Sequence, residues 1–317
     1  MGRDRDAAGP GLTVQARGLT ARFKDRVALE GFDLDVAPGE IVGLLGPNGA
    51  GKTSALRLLC TGRAPSAGSL KLFGRDPRSA LSQTRRCLGI AGDEPVHIGA
   101  LSGWENALGF AMAAGLSSSD AKARVTEALD AFGLAPDRHR PVAEYSLGMQ
   151  RRLLLAEALA HLPDLILLDE PTSGLDQQGR ALLATVLAER AARGAAIVLA
   201  THDLRAAEQL CHRVLLLSGG RVVLHGKPAD LVAALGGATR YEFTLRGARV
   251  PEVQVEGVEI TLASAEKLVA LGRNGGSPLP ALCEAVQRSG AAIDTVMVRR
   301  PDLRDVYLRA TGQEPDA

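Results

Sequence analysis

Gly46-Pro47-Asn48-Gly49-Ala50-Gly51-Lys52-Thr53 decides how this chain is read. The stretch follows five apolar residues, Ile41–Leu45, and runs into a helix-compatible segment over residues 54–60. A glycine-rich turn between a strand and a helix lets backbone N–H groups close around phosphates, and the helix N-terminus adds positive partial charge. Gly46, Pro47, Asn48, Gly49, Ala50 and Gly51 then form the cradle, with Ser54 just beyond it. Lys52 is placed to reach the β- and γ-phosphates, and Thr53 to offer its hydroxyl to Mg²⁺. The expected ligand is a nucleoside triphosphate with its metal.

Outward from this loop, short aliphatic runs suggest strands over residues 165–168, 196–200, 214–217 and 222–224. Runs of four or five aliphatic residues fit strands buried on both faces, and their alternation with helix-like segments argues for an α/β domain. Ser218-Gly219-Gly220-Arg221 between the last two runs reads as a hairpin turn, because paired glycines supply positive φ. Val125, Ala128, Leu129 and Phe132 share one face of a helix expected over residues 120–132, with Gly133 as its C-cap. A Leu/Ala-rich helix is expected over residues 148–160, with Arg151 and Arg152 in its first turn.

The domain of residues 12–235 is preceded by a charged, then Gly/Pro-rich segment, residues 1–11, which reads as a disordered leader. Composition changes near Gly236-Gly237, and residues 238–313 read as a small accessory α/β domain. It has strands over 241–245, 258–262, 268–271 and 293–298, a helix over 279–288, and a last helix carrying Leu303, Val306, Tyr307 and Ala310.

A chain of 317 residues with 46% apolar and 23% charged residues can bury a sizeable core. Only 3% is aromatic, so that core is aliphatic. A formal net charge of +1 gives no electrostatic case for broad nucleic-acid or anionic-membrane binding. Cys60, Cys87, Cys211 and Cys283 lie far apart, without metal-ligand spacing, and read as reduced thiols. Met1–Asp6 lacks an apolar signal core, and no run approaches the ~18 apolar residues of a membrane span.

Three further clusters carry chemistry. Leu165-Ile166-Leu167-Leu168-Asp169-Glu170 delivers two carboxylates to the C-terminal end of a strand, where open parallel sheets bind ligands. Asp169 suits Mg²⁺ and Glu170 suits the base that orients or deprotonates an attacking water. His202, at the end of the strand over 196–200, reads as a polar sensor of the γ-phosphate. Ser146 and Gly148, in Tyr145-Ser146-Leu147-Gly148-Met149-Gln150, open the Leu/Ala-rich helix and make a second anion site. One chain needs one phosphate loop, so this second site is economically explained by nucleotide on another copy.

In this order, together with Pro171 and Ser173-Gly174-Leu175-Asp176, these motifs resemble the ATP-binding cassette (ABC) ATPases over residues 12–235. The resemblance implies a P-loop ATPase fold with a helical subdomain, ATP and Mg²⁺ as cofactors, and two cassettes joined head to tail. Ser146 and Gly148 would then contact the γ-phosphate of the partner cassette's ATP, and Asp176 would lie on the loop crossing the interface. Phe23, 29 residues before Lys52, falls where the family stacks an aromatic on adenine. The family's metal-sensing Gln position falls on Asp93, with Glu94 next to it.

Leu147 and Met149 stand where the commonest signature has Gly and Gln. That variant, with Asp302-Leu303-Arg304-Asp305-Val306-Tyr307-Leu308-Arg309-Ala310-Thr311-Gly312, resembles the branch serving ABC-2 type drug, antibiotic or polysaccharide exporters. Such a subunit works at the cytoplasmic face of the membrane, on a permease encoded separately. The rival readings are a soluble ABC ATPase acting on nucleic acid or the ribosome, and the ATPase of an importer.

Overall fold

The computed structural model describes residues 11–24, 26–246, 250–272 and 278–313. Apart from Gly11, the expected leader lies outside the described residues. The chain divides into two compact units between Val222 and Val223.

The first unit is organised by a parallel sheet. Its strands run in the order Leu88–Ala91, Leu165–Asp169, Ala196–Thr201, Ile41–Leu45 and Arg213–Ser218, with Arg221–Gly226 at the far edge. Every residue of Leu165–Asp169, Ala196–Thr201 and Ile41–Leu45 is buried, as continuous aliphatic runs require when both faces of a sheet are covered. Parallel register sets Leu45 beside Thr201 and Asp169 beside Ala200. The phosphate loop, the Asp169-Glu170 pair and His202 therefore leave the sheet at one end. The turn at Gly219-Gly220, with φ of 56° and 79°, returns the chain as the two glycines predict.

A second, antiparallel sheet of Arg26–Val36, Val14–Phe23 and Ala67–Leu72 was not evident as strands in the sequence. Its central strand is only partly buried and carries register shifts between Ala16 and Leu19 and again up to Arg22, which break the period-two pattern. This sheet ends at Phe23 and so sets that ring.

Three helices pack together as a separate layer: Gly103–Ala113, Ser118–Ala131 and Leu147–Ala160. Ser102 and Glu105 form a reciprocal capping box on the first, and Ser117 and Ser146 cap the others. Each such cap is worth about 1 kcal/mol. The second helix buries Val125, Ala128 and Leu129, and Phe132 is buried at its C-cap.

The second unit holds a four-stranded antiparallel sheet in the order Val258–Ala263, Lys267–Gly272, Thr239–Arg246 and Ala292–Arg299. Leu282 and Val286 of the helix Leu279–Arg288 bury against Tyr241, Phe243 and Leu268. The helix Pro228–Ala233 packs on Leu303–Thr311, so residues 223–235 cluster with this unit although the composition changes only at Gly236. Arg240 is buried with Asp305 and also pairs with Glu242. All four cysteines are free, and burial pushes the Cys211 thiol up to about 12, which makes it inert. Among the described residues no helix is long and apolar enough to cross a membrane.

Candidate nucleotide site

The phosphate loop keeps its shape because only glycine fits its turns. Gly51 takes φ 106° as the N-cap of the helix Lys52–Leu59, and a Cβ there would stand 2.7 Å from the Ala28 carbonyl oxygen. At Gly46 a Cβ would stand 2.3 Å from the Leu217 carbonyl oxygen. The two glycines therefore let the loop pack tightly against the strands Arg26–Val36 and Arg213–Ser218. Lys52, only 6% exposed, donates from Nζ to the carbonyls of Gly46 at 2.6 Å and Pro47 at 3.1 Å. Nζ also lies 3.8 Å from Oε1 of Glu170.

An open cleft of about 370 Å³ lies over the loop. Asn48, Gly49, Ala50, Gly51, Lys52, Thr53 and Ser54 line it together with Phe23, Asp93, Asp169 and Glu170. Gly46 and Pro47 lie behind it and hold Lys52. Asp93 lines this cleft, whereas Glu94 is not among its lining residues.

Burial pushes the Asp169 carboxyl above its ordinary range. A hydrogen bond with Thr53 opposes this, the charges of Glu170 and Asp93 add to it, and Lys52 counters them. A hard cation bound here would remove that penalty by supplying the missing positive charge. Among the described residues no group of three or more His, Cys, Asp or Glu makes a metal cage. Mg²⁺ does not require one, since it takes one or two carboxylates and completes its shell with phosphates and water. Thr53 and Asp169, side by side, fit that pattern.

Glu170 is held on all sides. Its φ of 45° lies in the left-handed region, which costs a non-glycine residue about 1–3 kcal/mol and persists only where neighbours fix it. Its N–H donates to the Ala200 carbonyl at 2.8 Å. Its Oε2 accepts from the Thr201 hydroxyl at 2.9 Å, and Oε1 accepts from the His202 N–H at 3.1 Å. His202 Nδ1 lies 2.8 Å from the same Oε1.

Ser146 accepts from the Met149 N–H at 3.3 Å as N-cap of Leu147–Ala160. Gly148 faces the Gly174 carbonyl, to which a Cβ would come within 3.2 Å. Asp176 accepts from the Gly179 N–H at 2.7 Å and caps the helix Gln177–Ala192. Gly148 thus lies against Gly174, two residues before Asp176, and none of Ser146, Gly148 and Asp176 lines the cleft over the phosphate loop.

Phe23 lines the cleft, yet the Arg63 guanidinium covers one face of its ring at 3.8 Å from the centroid. A base can stack only on the other face. Sequence reasoning missed Arg26 and Arg57, which also line the cleft. It also missed the burial of Arg151, which is 2% exposed although it is a charged residue near the start of its helix.

A cradle of this kind at the C-terminal end of a parallel sheet is the working end of a P-loop nucleoside triphosphatase. Known proteins narrow the class. The pattern of the ABC transporter family matches residues 29–173. A daunorubicin resistance ATP-binding protein, DrrA3, of Streptomyces coeruleorubidus is 35% identical over 95% of this chain and 96% of its own length. Nod factor export ATP-binding protein I of Burkholderia thailandensis is 37% identical over 95% of this chain and 97% of its own. Among solved structures, the dimeric post-hydrolysis state of the ATP-binding cassette MJ0796 with ADP and Pi superposes at a TM-score of 0.60. It is 25% identical and covers 68% of this chain and 98% of its own. The chain belongs to the ABC transporter family and is its ATP-binding, ATP-hydrolysing subunit.

Proposed function

We propose that this chain is the motor of an exporter, with residues 12–235 as the cassette and 238–313 as an accessory domain. It works at the cytoplasmic face of the membrane on a permease carried by a separate chain. Support comes from full-length similarity to subunits whose names refer to daunorubicin resistance and Nod factor export. The signature variant and the C-terminal helix point the same way. The cargo class is a drug, antibiotic or other amphiphile.

One observation carries the mechanism: Lys52, Asp169 and Glu170 share a cleft that Ser146 and Gly148 do not reach. A complete site then needs two chains, each lending its signature to the other's ATP. Gly46–Thr53 and Ser54 hold the phosphates, Phe23 meets adenine, and Asp176 lies at the crossing between chains. Thr53, Asp169 and Asp93 would hold Mg²⁺, which when bound neutralises charge on the phosphates. Glu170, fixed by Thr201 and His202, orients the attacking water and takes its proton; His202 senses the γ-phosphate. Closure around ATP drives the permease, and hydrolysis releases it.

Affinity capture of the tagged chain from its native membranes tests the role. Recovery of a polytopic membrane protein is expected. Recovery of ribosomes or DNA instead would overturn the exporter reading.

A further inference from the structure

Arg151 joins two parts of the molecule that the proposed mechanism leaves unconnected. It lies on the helix Leu147–Ala160, which Ser146 caps, and its guanidinium turns inward. Nη1 donates to the carbonyls of Gly92 at 2.7 Å and Asp93 at 2.6 Å. Nη2 donates to the carbonyl of Asp169 at 2.7 Å and to that of Glu170. One planar fork thus gathers four carbonyls from two segments, both of which line the nucleotide cleft. A guanidinium can do this because its donors diverge in a fixed plane, whereas an ammonium is a single point.

The consequence falls on Glu170. Its strained φ puts the peptide on either side under constraint: Ala200 holds the N–H, and Arg151 together with the Ser173 N–H holds the C=O. Thr201 and His202 then hold the carboxylate. Of these groups Arg151 alone comes from the signature helix. His97 fastens the Asp93 loop to the same helix at a second point, with Nε2 3.1 Å from the Gln150 carbonyl and Nδ1 3.3 Å from Glu157. The signature helix is therefore tied to both the Asp93 loop and the backbone of Glu170.

We propose that Arg151 is a positioning residue that transmits the placement of the signature helix to Glu170 of the same chain. This rests on reading Glu170 as the base and Ser146 and Gly148 as contacts to the partner's nucleotide. A signature engaged by the partner's ATP then sets the geometry of this chain's own hydrolytic carboxylate. The two sites are linked through protein as well as through shared ligands.

The test compares Arg151→Met, Arg151→Lys, Glu170→Gln and the double variant Arg151→Met/Glu170→Gln in the full chain. Steady-state ATP hydrolysis, binding of a fluorescent ATP analogue and thermal melting are measured for each. Arg151→Met is expected to bind the analogue and keep its KM within about threefold, while kcat falls about 10- to 10²-fold from misplacement of the base. Arg151→Lys recovers part of that loss. The double variant is no slower than Glu170→Gln alone, because the positioned group is already gone. Should Arg151→Met melt below the assay temperature, Arg151→Lys decides, with a lower kcat at unchanged KM expected. Wild-type kcat in the folded Arg151 variants, or a further loss in the double variant, would overturn the proposal alone. Wild-type turnover in Glu170→Gln would remove the base reading and this proposal with it.

Discussion

Nδ1 of His202 lies 2.8 Å from Oε1 of Glu170, and the His202 N–H donates to that same oxygen at 3.1 Å. A carboxylate only accepts, so the side-chain bond needs its proton on Nδ1. His202 thereby holds the Glu170 carboxylate twice, through its backbone and through its ring.

His202→Ala removes the side-chain bond but leaves Thr201 on Oε2 at 2.9 Å. Turnover should fall about 10- to 10²-fold with KM for ATP nearly unchanged, a partial loss of positioning. Steady-state kinetics decides; a raised KM at wild-type kcat would assign His202 to binding instead.

Glu170→Gln keeps the size of the side chain and one accepting oxygen. Equilibrium binding of ATP should be retained while turnover falls about 10²–10⁴-fold, the usual contribution of a positioned base. The pairing of a binding titration with a phosphate-release assay separates the two effects.

Lys52→Ala should act on binding first. Its ammonium is buried under the loop and already turned toward the Gly46 and Pro47 carbonyls. Loss of a charged hydrogen bond of about 1.5–3 kcal/mol weakens ATP binding about 10- to 10²-fold. An unchanged dissociation constant would contradict the placement of Lys52 on the phosphates.

Stability of the second unit should depend on acid in a defined window. Burial alone would raise the Glu242 carboxyl, but hydrogen bonds from Lys267 and Arg240, and their charges, outweigh it and hold the group at about 2. Its ordinary value is 4.5, so unfolding raises it. The stabilisation is complete above pH 4.5 and is lost as pH falls toward 2. Glu242→Gln should flatten the fall in melting temperature over that window, while leaving Arg240 its contact with Asp305.

The parallel sheet was legible because Ile41–Leu45, Leu165–Asp169 and Ala196–Thr201 are buried on both faces and so read as unbroken aliphatic runs. The cradle was legible because Gly46 and Gly51 take positive φ of 150° and 106°, a local demand that glycine meets and a sequence displays. The sheet of Val14–Phe23 was not, since its bulges shift the alternation between faces. Nor was Arg151: a charged residue near a helix start reads as solvated, and only the fold brings the carbonyls of Gly92, Asp93, Asp169 and Glu170 around it. Arg63 over Phe23 was hidden for the same reason, being a contact between segments 40 residues apart in sequence.

That each site is shared between two chains is tested most directly by mixing two inactive variants. Lys52→Ala lacks a working phosphate loop, and Gly148→Asp puts a carboxylate where the partner's γ-phosphate should sit. Each alone should hydrolyse ATP poorly. In a mixed pair, the intact loop of one chain meets the intact signature of the other, so one site of two is complete. Random pairing should restore turnover above that of either variant alone, up to about a quarter of wild type for a two-fold symmetric dimer and less to the extent that Glu170 needs its own chain's signature engaged. A mixture as inactive as its components would contradict the shared site.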